Sequence, residues 1–168
     1  MKLLLQRFIA ICLFKARPQD LPLSGFLLVL TIICYSLVNF GLSLNQADIP
    51  TAALMVIVDL LLLSVMTYLL LWMRLTPGRY QQTLTALAGG GTILALVAWP
   101  LLLWQQQSGS SMASLLLWVF FFWNLGVFGH IIRHALSTHF TIGILLALLY
   151  MFFSYKVSAI LFYPESAT

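Results

Sequence analysis

Charged side chains are scarce in this sequence. They make up 7% of its 168 residues, against about a quarter in ordinary soluble domains, while 62% of the residues are hydrophobic. So few polar groups cannot cover a water-soluble domain, and so apolar a chain is not disordered. Two cysteines build no disulfide scaffold, and a net charge of +4 without a dense basic patch is not typical of nucleic-acid binding. The composition therefore predicts a polytopic membrane protein.

Five apolar runs are long enough to cross a bilayer core of roughly 30 Å, which takes about 20 helical residues. The connections between the runs are too short to fold alone. We therefore expect a single membrane domain over residues 1–168, an all-α integral membrane protein with five transmembrane helices in an antiparallel bundle. The predicted spans are Leu23–Leu44, Thr51–Met73, Thr83–Trp104, Ala113–Ile132 and Phe140–Tyr163.

Positive charge alternates between successive connections. Basic residues precede the first span, are absent from the first loop, and return in the second loop as Arg74 and Arg79. The third loop has none, the fourth carries Arg133, and the tail has none. By the positive-inside rule this alternation predicts a cytoplasmic N-terminus and an external C-terminus.

The first 17 residues mix basic and apolar side chains but contain no small-x-small cleavage site. We expect them to be retained as a short helix at the inner membrane interface. Cys12 lies in this segment and Cys34 lies in the middle of the first span. The two cysteines are therefore too far apart to pair, and both are predicted to act as apolar fillers.

Asp59 stands in the second span within VIVDLLLL, where an ionisable group is costly. Lys156 is the only other charge well inside a span. Counting 1.5 Å per residue places Asp59 about 12 Å and Lys156 roughly 10 Å below the outer boundary, so we predict that the two form an ion pair. Asn39 and Asn124 are predicted to hydrogen-bond between helices.

Glycine is concentrated in two spans. Gly89, Gly90 and Gly91 follow no strand and precede no Lys-Ser/Thr pair, so they do not form a phosphate-binding loop. Small residues in membrane helices instead permit close backbone approach. These three glycines, with Gly126 and Gly129, are therefore predicted to lie at contacts between helices.

His130 and His134 are four residues apart, so they project from one helical face and could share a metal ion. No carboxylate completes a zincin-type motif, and the cationic Arg133 between them disfavours a divalent ion. We expect neither a metal nor another cofactor here, and we expect the histidines to lie near lipid headgroups.

Two stretches carry a family resemblance. RYQQTLTALAGGGTILALVAWP enters the third span from a basic loop and ends in proline, and WNLGVFGHIIRHALS closes the fourth span. Together with the order of the spans from about Pro18 onward, they resemble the Yip family of five-span membrane proteins and its bacterial members. The resemblance implies a bacterial inner-membrane (plasma-membrane) protein without catalysis. Eukaryotic members bind lipidated small GTPases, but no DLYGP-like signature is present, so no small GTPase partner is expected.

No nucleophile and base can be brought together on the basis of spacing. The sequence therefore predicts a non-enzymatic membrane protein that acts as a scaffold, an assembly factor or an organiser of lipids and proteins. Its expected partners are membrane lipids, other membrane proteins or further copies of itself, and no nucleic acid. The alternative is a small transporter or channel subunit that uses Asp59 and Lys156 as an intramembrane ion or proton site.

Overall fold

The computed structural model describes residues 2–162, and this part of the chain is helical without any strand. Helices α2 to α6 are each long and apolar enough to cross a membrane, which confirms the predicted all-α, five-span fold. Short 3₁₀ turns at Pro18–Asp20 and Pro77–Arg79 precede α2 and α4. The helices are α1 (Lys2–Cys12), α2 (Gly25–Ser43), α3 (Ile49–Met73), α4 (Tyr80–Ser108), α5 (Ser111–Leu136) and α6 (Phe140–Phe162).

The connection between α4 and α5 is much shorter than the sequence predicted. The expected loop from Gln105 to Met112 is reduced to two residues, because α4 continues to Ser108 and α5 begins at Ser111. Gly109 adopts a left-handed backbone with φ +58°, and its N–H donates to the carbonyl of Gln105. The apolar residues show only which part of a helix can face lipid. The polar sequence QQQS continues α4 beyond that part, so the helix is longer than the apolar run.

The two ends of the bundle are packed differently. We call the end that carries the Arg79 turn the inner end, and the end that carries the Gly109 turn the outer end. In the inner half, residues 83–92 of α4 are buried without interruption, because α1, α2, α3 and α5 surround them. In the outer half, large side chains such as Trp118 and Phe122 of α5 are exposed. The core therefore lies in the inner half of the bundle, around α4.

The predicted N-terminal helix is present as α1, but it ends at Cys12 rather than at residue 17. Phe8, Ile11 and Cys12 lie on one helical face and are buried against the inner half of the bundle. The indole N–H of Trp123 in α5 donates to the Cys12 carbonyl at 3.0 Å. Burial also raises the pKa of the Cys12 thiol to about 11, so the thiol stays protonated. Helix α1 is thus a packed part of the bundle.

The three consecutive glycines of α4 face different neighbours. The ring of Phe8 in α1 packs directly against Gly89. At Gly91, a Cβ atom would lie 2.9 Å from the ring of Tyr35 in α2. Gly90 has more room, since a Cβ there would meet only ordinary van der Waals contacts at 3.7 Å and beyond. Gly89 and Gly91 therefore give space to aromatic rings, whereas Gly90 does not.

Helices α5 and α6 come into close contact at a pair of glycines. A Cβ atom on Gly129 would lie 2.9 Å from the backbone nitrogen of Ile144 and 3.0 Å from its Cα. A Cβ on Gly143 would collide with the carbonyl group of Gly129. Gly126, one turn earlier, lies against the ring of Phe14. The contact between α5 and α6 is thus backbone to backbone, as small residues allow in membrane proteins.

Candidate functional site

Asp59 lies in the middle of the bundle, where α2, α3 and α6 meet. It follows Ile49, the first residue of α3, by ten residues, which is about 15 Å along the helix. Its Oδ2 accepts a hydrogen bond of 2.5 Å from the hydroxyl of Tyr35 in α2. Its Oδ1 accepts bonds of 3.4 Å from the hydroxyls of Tyr150 and Ser154 in α6. Three hydroxyl groups from two helices therefore converge on one carboxyl group.

The packing of the inner half explains why these hydroxyls reach Asp59. Tyr150 and Ser154 are four residues apart and so lie on the same face of α6. The ring of Tyr150 is stacked on Phe128 of α5, with centroids 6.3 Å apart and an interplanar angle of 11°. The ring of Tyr35 lies against Gly91, where a Cβ atom would crowd it at 2.9 Å. Both tyrosine rings are thus held by α4 and α5 and direct their hydroxyls toward α3.

A polar cleft opens on the outer side of Asp59, between α2, α3 and α6. Its volume is about 330 Å³, which is enough for several water molecules. Its polar side chains lower the cost of hydrating the cleft inside a membrane. The residues that line it with Asp59 are Asn39, Ser43, Gln46, Met55, Val56, Tyr155, Ser158 and Ala159.

The inner side of the site is packed and apolar. A cavity of about 20 Å³, which is room for about one water molecule, lies on the inner-end side of Tyr150. Leu63, Leu87 and Ile132 are among the side chains around it. The geometry therefore gives Asp59 a polar approach from the outer end and an apolar floor toward the inner end.

The predicted ion pair between Asp59 and Lys156 is not formed. The Lys156 side chain is exposed, and its ammonium group lies 5.8 Å from the centroid of the Phe152 ring on the same helix. An α-helix turns about 100° per residue, so Lys156 points roughly 200° away from Ser154, which contacts Asp59. Residue counting gave both charges a similar depth, but depth does not determine which side of a helix a residue occupies.

The two asparagines do not hydrogen-bond between helices. The amide group of Asn39 donates to the carbonyl of Tyr35 in its own helix at 2.9 Å, and its side chain lines the cleft. Asn124 is half-buried and makes no side-chain hydrogen bond to any residue within 2–162. The prediction failed for Asn39 because a carbonyl one turn earlier can satisfy an asparagine without help from a neighbouring helix.

His130 and His134 lie side by side, with ring centroids 4.6 Å apart. His130 Nε2 donates to the carbonyl of Ala16 at 3.0 Å, which ties the segment after α1 to α5. Arg133 donates to His134 Nε2 at 3.1 Å. Within residues 2–162, no group of three potential ligands for a metal ion comes together. The histidines therefore have hydrogen-bonding roles in holding the inner end together.

Three members of the site, Tyr35, Tyr150 and Ser154, were not identified from the sequence. A signal was present, because a tyrosine inside an apolar span needs a partner for its hydroxyl group. The four-residue spacing of Tyr150 and Ser154 also places two hydroxyls on one face. To connect these hydroxyls with Asp59, one would also have to know how α6 is rotated relative to α3, which the sequence does not give.

Comparison with known protein families, with curated proteins and with solved structures gave no match. The resemblance to the Yip family thus stays a prediction from the sequence. The function of a protein depends on the chemistry of its site and not on its fold. A carboxyl group that faces a polar cleft can take up and release a proton, and as a carboxylate it can bind a small cation.

Proposed function

We propose that this protein is a non-enzymatic, multi-pass membrane protein of the transport class, in which Asp59 takes up a proton or a small cation through the outer cleft. One observation carries the proposal: a carboxyl group that accepts hydrogen bonds from Tyr35, Tyr150 and Ser154 lies next to a polar cleft in mid-bundle. Ionisable groups at such positions commonly belong to proton relays and ion pathways.

The orientation of Lys156 favours this proposal over a purely structural role for Asp59. A structural role is simplest when an opposite charge neutralises the carboxylate within the bundle. Lys156 points away, and no basic residue within 2–162 lies within ion-pair distance of Asp59. The neutralising partner is then a proton or a cation that arrives through the cleft.

The positions of the basic residues support a membrane orientation. Arg17, Arg79 and Arg133 line a common cavity at the inner end, whereas the α2–α3 connection at the outer end contains Asp48 and no basic residue. By the positive-inside rule, the inner end faces the cytoplasm. We propose the bacterial inner membrane as the location, in keeping with the resemblance to the Yip family.

Ion flux through reconstituted vesicles tests the proposed function. We expect vesicles that contain the purified full chain to dissipate an imposed proton or sodium gradient faster than protein-free vesicles do. Asp59→Asn should reduce the flux to the protein-free rate, because the amide cannot take up a proton or balance a cation. Asp48→Asn is the matched control, since this exposed aspartate at the start of α3 lies outside the site, and its flux should equal that of the wild type.

A wild-type flux no faster than that of protein-free vesicles for protons, sodium and potassium would contradict the transport proposal. Equal flux in the wild type and Asp59→Asn would contradict the role of Asp59. In the first case the scaffold or assembly function predicted from the sequence becomes the leading hypothesis. Self-association, measured by cross-linking in native membranes, is then the next property to examine.

A further inference from the structure

A second polar cavity lies at the inner end of the bundle, separate from the Asp59 site. It is formed where the segment before α2, the turn before α4 and the end of α5 meet, and its volume is about 480 Å³. Arginines from three separate segments line it, namely Arg17, Arg79 and Arg133. The fold therefore brings together positive charges that lie far apart in the sequence, from position 17 to position 133.

This positive charge is poorly balanced. Among the residues that line the cavity, Asp20 has the one carboxylate, and its Oδ2 accepts the backbone N–H of Arg17 at 2.8 Å. Within residues 2–162, no arginine of the cavity forms an ion pair with a carboxylate. Guanidinium groups held around one space repel each other unless a negative charge lies between them.

Two of the arginines are held in place by hydrogen bonds and still have N–H groups to offer. Arg79 donates through one nitrogen to the carbonyl of Ala135 at 3.1 Å and to the hydroxyl of Ser137 at 2.8 Å. Arg133 donates to His134 and lies 5.3 Å from the centroid of the Phe140 ring. A guanidinium group has five N–H donors, so each of these side chains keeps unused donors.

Several buried polar atoms around the cavity have no partner within the described residues. They are Arg133 Nε, Gln19 Oε1 and Thr138 Oγ1, and all three residues line the cavity. The Gln19 side chain is fixed by its amide, which donates to the His134 carbonyl at 2.7 Å. Unsatisfied buried groups are costly and need an explanation, such as a ligand that completes the site.

We propose that this inner cavity binds a phosphate group. The planar guanidinium matches the oxygens of a phosphate, and three arginines supply the compensating charge. The ligand is either the headgroup of an anionic phospholipid from the inner leaflet or a soluble phosphate compound. The proposal depends on the cavity alone and is independent of the transport function of Asp59.

Thermal unfolding of the purified full chain in a neutral detergent tests the proposal. The probes are dihexanoylphosphatidylglycerol, dihexanoylglycerol without a phosphate group, and inorganic phosphate, each against chloride at equal ionic strength. Arg17→Gln is the test variant, because the Arg17 guanidinium makes no hydrogen bond to residues 2–162 and its loss should not disturb folding. Arg74→Gln is the matched control, since Arg74 is exposed near the same end and does not line the cavity.

We expect phosphatidylglycerol to raise the unfolding temperature of the wild type and of Arg74→Gln, and dihexanoylglycerol to have no effect. The apparent dissociation constant should rise about tenfold in Arg17→Gln, the effect of one lost charge-assisted hydrogen bond. If inorganic phosphate raises the unfolding temperature as much as phosphatidylglycerol does, the proposal is supported and the ligand is a soluble phosphate compound. If only phosphatidylglycerol raises it, the proposal is supported and the ligand is a lipid headgroup.

A second variant separates a specific site from general attraction to basic charge. Thr138→Val leaves every charge in place and removes one unsatisfied hydroxyl of the cavity, so it should weaken the response to the phosphate ligand. No response of the wild type to either phosphate probe would overturn the proposal. Equal responses of Arg17→Gln and Arg74→Gln would also overturn it.

Discussion

Replacing Gly129 with leucine is expected to cause a large loss of stability. Even a Cβ atom at this position would lie 2.9 Å and 3.0 Å from the backbone of Ile144. A helical backbone cannot move aside as a side chain can, so α5 and α6 must separate. Overpacking commonly costs about 1–3 kcal/mol and sometimes more, and a collision with backbone lies at the upper end of that range.

Gly90→Ala is the matched control for this prediction. A Cβ there would meet the side chain of Ile131 at 3.7 Å and that of Cys12 at 3.8 Å, which are ordinary contacts. Alanine is better than glycine in a helix by about 1 kcal/mol, so the variant should be as stable as the wild type or more stable. Thermal unfolding in detergent measures both variants. Similar unfolding temperatures for Gly129→Leu and Gly90→Ala would contradict the close contact between α5 and α6.

The second large effect is expected at the hydrogen bonds of Asp59. Asp59→Leu removes the acceptor of the Tyr35, Tyr150 and Ser154 hydroxyls together. Each buried donor left without a partner costs about 1–3 kcal/mol where water cannot replace the acceptor. We therefore expect Asp59→Leu to be strongly destabilising and Tyr35→Phe to be less so.

The double variant shows whether Asp59 and Tyr35 act as a pair. In Asp59→Leu with Tyr35→Phe, the tyrosine donor and its acceptor are both absent, so the loss should be smaller than the sum of the single losses. We expect a coupling free energy of about 1–3 kcal/mol between the two positions. Tyr68→Phe in α3 is the control, since Tyr68 is half-exposed and distant, and its effect should add to that of Asp59→Leu. Additive losses for Asp59 and Tyr35 would contradict the hydrogen bond.

The five spans could be predicted from the sequence because apolar length alone determines which segments can cross a bilayer. The ends of the spans were harder to predict, since polar residues such as Gln105 extend α4 beyond its apolar part. The packing of α1 was also missed. Its buried face depends on Gly89, which leaves space in a different helix for the ring of Phe8.

Asp59 could be found from the sequence because one carboxyl group in an apolar run is conspicuous. Its partners could not be found in the same way. Depth follows from counting residues, but the rotation of each helix follows from side-chain packing, and here Gly91 and Phe128 position the two tyrosines. The inner cavity was beyond sequence analysis for a related reason. The positive-inside pattern places Arg17, Arg79 and Arg133 on one side of the membrane without bringing them together.

The central claim is that Asp59 exchanges a proton or cation with the outer cleft, and infrared difference spectroscopy tests it most directly. The full chain, labelled with ¹³C-carboxyl aspartate and reconstituted in lipid, is compared in alkaline and acidic external buffer. We predict a carbonyl band of a protonated carboxyl group away from bulk water, which grows on acidification, persists in Asp48→Asn and is missing in Asp59→Asn. A carbonyl band whose intensity does not change with external pH, or one that remains in Asp59→Asn, would contradict the account.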